Sequence, residues 1–126
     1  MKASISGAVV ENDQRLAEVI RTTIKHDIHV EVNIFSSGEA LLKLMESGTR
    51  FDIYILDYQL DRYHFVLWGD EITKEVLFYD RAAKIIGISS DSYKDLFTNL
   101  GAAFVLKASI KEKLVRAIKE LVGKPV

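Results

Sequence analysis

Five short apolar runs, each followed by a stretch whose apolar residues recur at helical spacing, constrain this chain more than any other feature. The runs are ISGAVV (5–10), VEVNIF (30–35), IYIL (53–56), IIGI (85–88) and AAFVL (102–106). Each has strand length. Four read as continuously apolar, the pattern of strands covered on both faces, whereas 30–35 alternates through Glu31 and Asn33 and predicts an edge strand. Between and after them lie Leu16, Val19, Ile20 and Ile24; Leu41, Leu42 and Met45; Ile72, Val76 and Leu77; Leu96, Phe97 and Leu100; and Ile110, Leu114, Ile118 and Leu121. Each set repeats near 3.6 residues, the period of a helix with one buried face.

Helix-start signals agree with this phasing. Ser36 with Glu39 and Ser109 with Glu112 fit the S-x-x-E capping box, and Asp91 or Ser92 is expected to cap the fourth helix. Gly48, Gly101 and Gly123 fall where helices should stop. The β-α unit therefore repeats five times, which argues for a parallel sheet with helices on both faces. No linker or low-complexity stretch interrupts the 126 residues, so one domain spanning 1–126 is expected.

In an open α/β sheet, ligands bind at the carboxyl ends of the strands. Glu11, Asn12 and Asp13 follow the first strand, Asp57 the third, Ser89 and Ser90 the fourth, and Lys107 the fifth. Ser36 and Ser37, after the second, read as helix caps. A bare carboxylate at the end of the apolar run IYIL is costly to desolvate unless it is paired, so Asp57 calls for cationic neighbours. Acid and amide oxygens suit a hard divalent cation such as Mg²⁺, which retains several waters. A lysine and a hydroxyl suit phosphoryl oxygens, whose transfer needs positioning and charge neutralisation. Asp57 would then be the nucleophile, forming an acyl phosphate.

Composition narrows the alternatives. With no cysteine, disulfides, thiolate metal sites and cysteine nucleophiles are excluded. A net charge of −1 without a dense basic run gives no footprint for direct nucleic-acid binding. No run approaches the roughly 18 apolar residues of a membrane span, and the N-terminal apolar segment is too short for a signal-peptide core. A cytoplasmic protein without a membrane partner is expected. Dinucleotide, P-loop and zincin motifs are absent from the sequence.

These segments, in this order, resemble the receiver domain of two-component response regulators. AVVENDQRLAEVI is similar to the family's acidic first loop, DIYILDYQL to its phosphoacceptor strand, IIGISS to its switch-hydroxyl strand and GAAFVLKAS to its lysine segment. The resemblance implies a doubly wound (βα)5 fold of flavodoxin type with strand order 2-1-3-4-5. It implies Asp57 as phosphoacceptor, Lys107 as the phosphate-contacting lysine and Ser89 as the switch hydroxyl. Glu11, Asn12, Asp57 and the backbone carbonyl of Gln59 would hold Mg²⁺, and Phe104 occupies the aromatic switch position. The implied partners are a histidine kinase or phosphotransfer protein and a downstream target or effector domain, with a possible homodimer through the face formed by helix 4, strand 5 and helix 5. Such a chain is a phosphoacceptor rather than an enzyme.

The chain departs from the family pattern in four places. Asn12 stands where the family usually has its main metal-binding aspartate, which weakens the expected Mg²⁺ affinity. Ala108 replaces the proline that normally follows the lysine, and Asp61 stands where a proline is common. The loop DRYHFVLWGDE is longer than the family's and carries Tyr63, Phe65, Leu67 and Trp68, a candidate partner surface. These departures define a second expectation, a degenerate receiver that acts as a phosphate-independent interaction module.

Overall fold

The computed structural model describes residues 5–58 and 69–123. Five strands, β1 (Ile5–Val10), β2 (Val30–Phe35), β3 (Ile53–Asp57), β4 (Ile85–Ser89) and β5 (Ala103–Leu106), form one sheet in the order β2-β1-β3-β4-β5. All four pairings are parallel. The helices are α1 (Gln14–Asp27), α2 (Gly38–Glu46), α3 (Gly69–Tyr79), α4 (Lys94–Thr98) and α5 (Ile110–Val122), the last entered through a 3-10 turn at Lys107–Ser109. This is the doubly wound fold with the order 2-1-3-4-5. Among the described residues, no helix is long and apolar enough to cross a membrane.

Strand alternation divides the core into two layers. Ile53 and Ile55 face α1 and α5, joining Val9, Ile20, Ile24, Ile86, Ile88, Leu114 and Ile118. Tyr54 and Leu56 face the opposite way, joining Ala8, Val10, Leu41, Met45, Ile72, Val76 and Phe97. The apolar runs are continuous because both faces are covered. Tyr54 can be fully buried because its hydroxyl oxygen accepts the Phe51 N–H at 3.0 Å.

Several sequence expectations shift by a residue or more. β3 and β4 run through Asp57 and Ser89, because the ladder continues beyond the apolar pattern with Asp57 opposite Ile88 and Ser89 opposite Leu106. β5 is the second edge strand, which its apolar run does not signal because α4 and α5 pack on its two faces; Phe104 is half-buried and Leu106 exposed. Ser37, not Ser36, caps α2: β2 stays paired with β1 through Phe35, which leaves Ser37 in the extended position from which its Oγ accepts the Ala40 N–H. Ser109 sits at the start of α5 without a side-chain bond, since the preceding 3-10 turn places it at φ −110°, ψ 12° instead of extended. Neither Asp91 nor Ser92 caps α4; Tyr93 holds that position with no side-chain cap.

Candidate functional site

Parallel pairing brings the carboxyl ends of β1, β3, β4 and β5 to one edge of the sheet. Val10 is in register with Leu56, so Glu11 follows β1 beside Asp57 at the end of β3. Both acids are buried, Asp57 completely and Glu11 to 2% exposure. Glu11 is oriented by its own loop, its Oε2 accepting the Asp13 N–H at 3.0 Å. From the far edge strand, Lys107 reaches across to both carboxylates, its Nζ lying 3.0 Å from Asp57 Oδ2 and 3.2 Å from Glu11 Oε1. Asp57, Lys107 and Glu11 are thus brought together. Every described peptide bond is trans, so Lys107 attains this position with Ala108 in place of the family's proline.

Among the described residues, Lys107 shares its ammonium between two buried carboxylates. Burial, then the charge of Glu11, pushes the Asp57 carboxyl from 3.8 up to about 7, against the opposing pull of Lys107. Burial by itself would lower the Lys107 ammonium, but Asp57 and Glu11 override it and hold its pKa above the ordinary value. Among the described residues, Glu11 Oε1, although close to Lys107, meets no partner of hydrogen-bond geometry. The two carboxylates therefore supply closely placed anionic oxygen donors that fit a hard cation. Among the described residues, no group of three or more His, Asp or Glu side chains is placed to hold a metal ion. Mg²⁺ keeps much of its water shell, so two carboxylates supplemented by an amide or carbonyl oxygen suit it.

The remaining expected residues are placed as follows. Ser89 is fully buried at the end of β4, its Oγ accepting the Asp91 N–H at 3.1 Å. Asn12 is exposed in the loop after Glu11. Asp13 is committed to capping α1, its Oδ1 accepting the N–H groups of Arg15 and Leu16 at 2.9 and 3.3 Å. Phe104, on β5, lies 5.7 Å from the ring of Phe97. Gln59, Asp61 and the loop residues Tyr63, Phe65, Leu67 and Trp68 fall outside the described residues.

Sequence reasoning passed over two tyrosines beside this edge. Tyr58 stacks on Tyr93, with ring centroids 4.0 Å apart and planes inclined by 24°. Strand parity offered a signal for Tyr58, since the residue after Asp57 turns toward the opposite face of the sheet. Nothing local pointed to Tyr93.

A sequence model of the response regulator receiver domain matches residues 8–119. The chain belongs to the response regulator receiver domain family. Receiver domains are signalling modules of two-component systems rather than conventional enzymes, and phosphorylation on aspartate is general among them. No curated protein matches the sequence. Among solved structures, the receiver is similar to the response regulator TrrA from Thermotoga maritima in complex with Mg²⁺-BeF, at 24% identity and TM-score 0.79, covering 93% of this chain and 98% of that one. It is also similar to a LuxR-family two-component response regulator from Aurantimonas sp., at 21% identity and TM-score 0.82, covering 96% and 86%. A CheY-like receiver domain from Methanospirillum hungatei matches at 16% identity and TM-score 0.74, covering 94% and 97%. At these identities the likeness speaks for the fold.

Proposed function

We propose that this receiver domain, read as residues 1–126, is a phosphorylation switch with Asp57 as its phosphoacceptor. The observation that carries the reading is the lysine bridge: Lys107 Nζ lies within 3.2 Å of carboxylate oxygens on both Glu11 and Asp57, at the ligand-binding edge of the sheet. An Asp57 oxygen attacks phosphorus in a phosphohistidine of a histidine kinase or phosphotransfer partner. The N–P bond breaks as the acyl phosphate forms, and the departing imidazole takes up a proton from solvent. Lys107 exchanges its carboxylate contact for a phosphoryl oxygen, and the Ser89 hydroxyl donates to another. Glu11, Asp57 and Asn12, with the Gln59 carbonyl, would hold Mg²⁺, which when bound supplies charge neutralisation at the transferring phosphoryl group. Without it Asp57 is only partly ionised near neutrality, which makes it a weaker nucleophile.

The change at Asp57 is read out by a downstream target or effector domain. Leu96 and Leu106, both exposed, lie on α4 and β5, the region expected to meet such a target or a second copy. The second reading, a phosphate-independent interaction module, draws on the exposed amide of Asn12 in place of an acid and on Ala108.

Intact mass after incubation with acetyl phosphate and Mg²⁺ separates the two. The switch gives a phosphoryl adduct that is lost in Asp57→Asn and in Mg²⁺-free buffer. No adduct at any Mg²⁺ concentration, with acetyl phosphate or a phosphorylated histidine donor, leaves the interaction module as the function.

A further inference from the structure

α4 is too short to hold itself in place. It spans Lys94–Thr98, begins after Tyr93 without a side-chain cap, and a helix this short is unstable on its own hydrogen bonds. Tertiary contacts must fix it. One is Phe97, fully buried, lying so close to β4 that a Cβ at Gly87 would stand 2.3 Å from its ring. The other is Tyr93, at the helix entrance, stacked on Tyr58. Tyr58 also meets Phe97 edge-on, with centroids 6.3 Å apart, and Phe97 in turn neighbours Phe104 on β5.

Tyr58 is covalently next to Asp57, and its own N–H donates to the Ile88 carbonyl at 2.9 Å. Its backbone therefore belongs to the sheet beside the acceptor carboxylate, while its ring belongs to the packing that holds α4. The Ser89 hydroxyl, by contrast, engages the backbone of Asp91, ahead of the helix.

We propose that Tyr58 is a positioning residue that ties α4 to the backbone beside Asp57, so that a group added to Asp57 displaces α4 through the Tyr58–Tyr93 stack and Phe97, separately from Ser89. The trigger rests on the reading of Asp57 as phosphoacceptor; the tie itself does not. A stacked aromatic pair biases an equilibrium between two packings by about two- to tenfold, enough to set how often α4 leaves its seat.

Hydrogen exchange on the unphosphorylated protein tests the tie first. In Tyr58→Leu, the amides of Leu96, Asn99, Leu100 and Ala102, all bonded within or just beyond α4, should exchange about two- to tenfold faster while those of α1 and α5 are unchanged. Tyr58→Phe, which keeps the ring, should exchange closer to wild type than Tyr58→Leu does, and Tyr93→Leu should reproduce Tyr58→Leu from the other side of the stack. Unchanged exchange in both leucine variants, or equal acceleration throughout the chain, overturns the tie. The route is then tested with acetyl phosphate and Mg²⁺ at matched adduct levels. Phosphorylation should alter exchange of the same four amides in wild type and do so at most half as strongly in Tyr58→Leu; an undiminished response overturns the route. If wild type takes no phosphoryl group from acetyl phosphate or from a phosphorylated histidine donor, the Asp57 reading fails, and the first measurement by itself upholds or overturns the tie.

Discussion

Replacing Asp57 by Asn in protein stripped of divalent cations should make folding stability less sensitive to pH, because burial and the charge of Glu11 outweigh the pull of Lys107 on the Asp57 carboxyl. In the folded protein the Asp57 carboxyl titrates near pH 7, whereas the ordinary value is 3.8. A carboxyl that keeps its proton more tightly when folded adds stability that is complete below about pH 4 and is lost as pH rises to about 7. The whole span is about three pH units at ~1.4 kcal/mol each, or about 4 kcal/mol. Roughly two of those units lie above pH 5. Wild type should therefore lose about 3 kcal/mol relative to Asp57→Asn between about pH 5 and pH 8. Asn conserves the volume and leaves an oxygen for the Lys107 ammonium, so any fixed cost of the substitution cancels in the comparison between pH values. The histidines cancel likewise, since both proteins carry them. Urea unfolding at four pH values in EDTA measures the difference. A difference that is flat across this range, or that grows in favour of wild type as pH rises, would refute the raised Asp57 carboxyl.

Three further perturbations probe the same architecture. Lys107→Ala removes the ammonium that meets both buried carboxylates and should cost about 3 kcal/mol or more near pH 8, and less near pH 5 where Asp57 takes up a proton, as read by denaturant midpoints. Gly87→Ala drives a methyl into the Phe97 ring and should destabilise by about 1–3 kcal/mol, with partial recovery when Phe97→Leu is added to the same chain and thermal unfolding is measured. Asn12→Asp adds a carboxylate beside Glu11 and should tighten Mg²⁺ binding about tenfold by calorimetric titration, well below the several kcal/mol of an ideally placed charge pair because position 12 is exposed.

The fold was legible because its signals are local. Strand length, continuous apolarity and a 3.6-residue period are properties of short windows; they located the five strands to within a residue and put a helix after each, although Leu100 of the fourth apolar set lies beyond the end of α4 at Thr98. The same strand ends nominated Glu11, Asp57, Ser89 and Lys107, because a parallel sheet must deliver them to one edge. Where a local signal had two neighbouring carriers, the sequence chose the wrong one: Ser36 and Ser37 are chemically alike, and only the pairing of β2 with β1 through Phe35 decided which serine stood extended before α2. The edge position of β5 was hidden for a related reason, since AAFVL is apolar enough for a central strand, with helices packed on both its faces, and its outer place appears only in the strand order.

What the sequence alone determined was which groups could share a site; what the tertiary structure decided was their balance. Charge compensation depends on distances between residues far apart in the chain, and nothing in the sequence states that Lys107 touches both carboxylates, leaving Asp57 raised to about 7. The stack of Tyr58 on Tyr93 depends in the same way on where α4 lands against the sheet. Local patterning is written one element at a time, whereas electrostatic and aromatic contacts are fixed only when several elements have packed together.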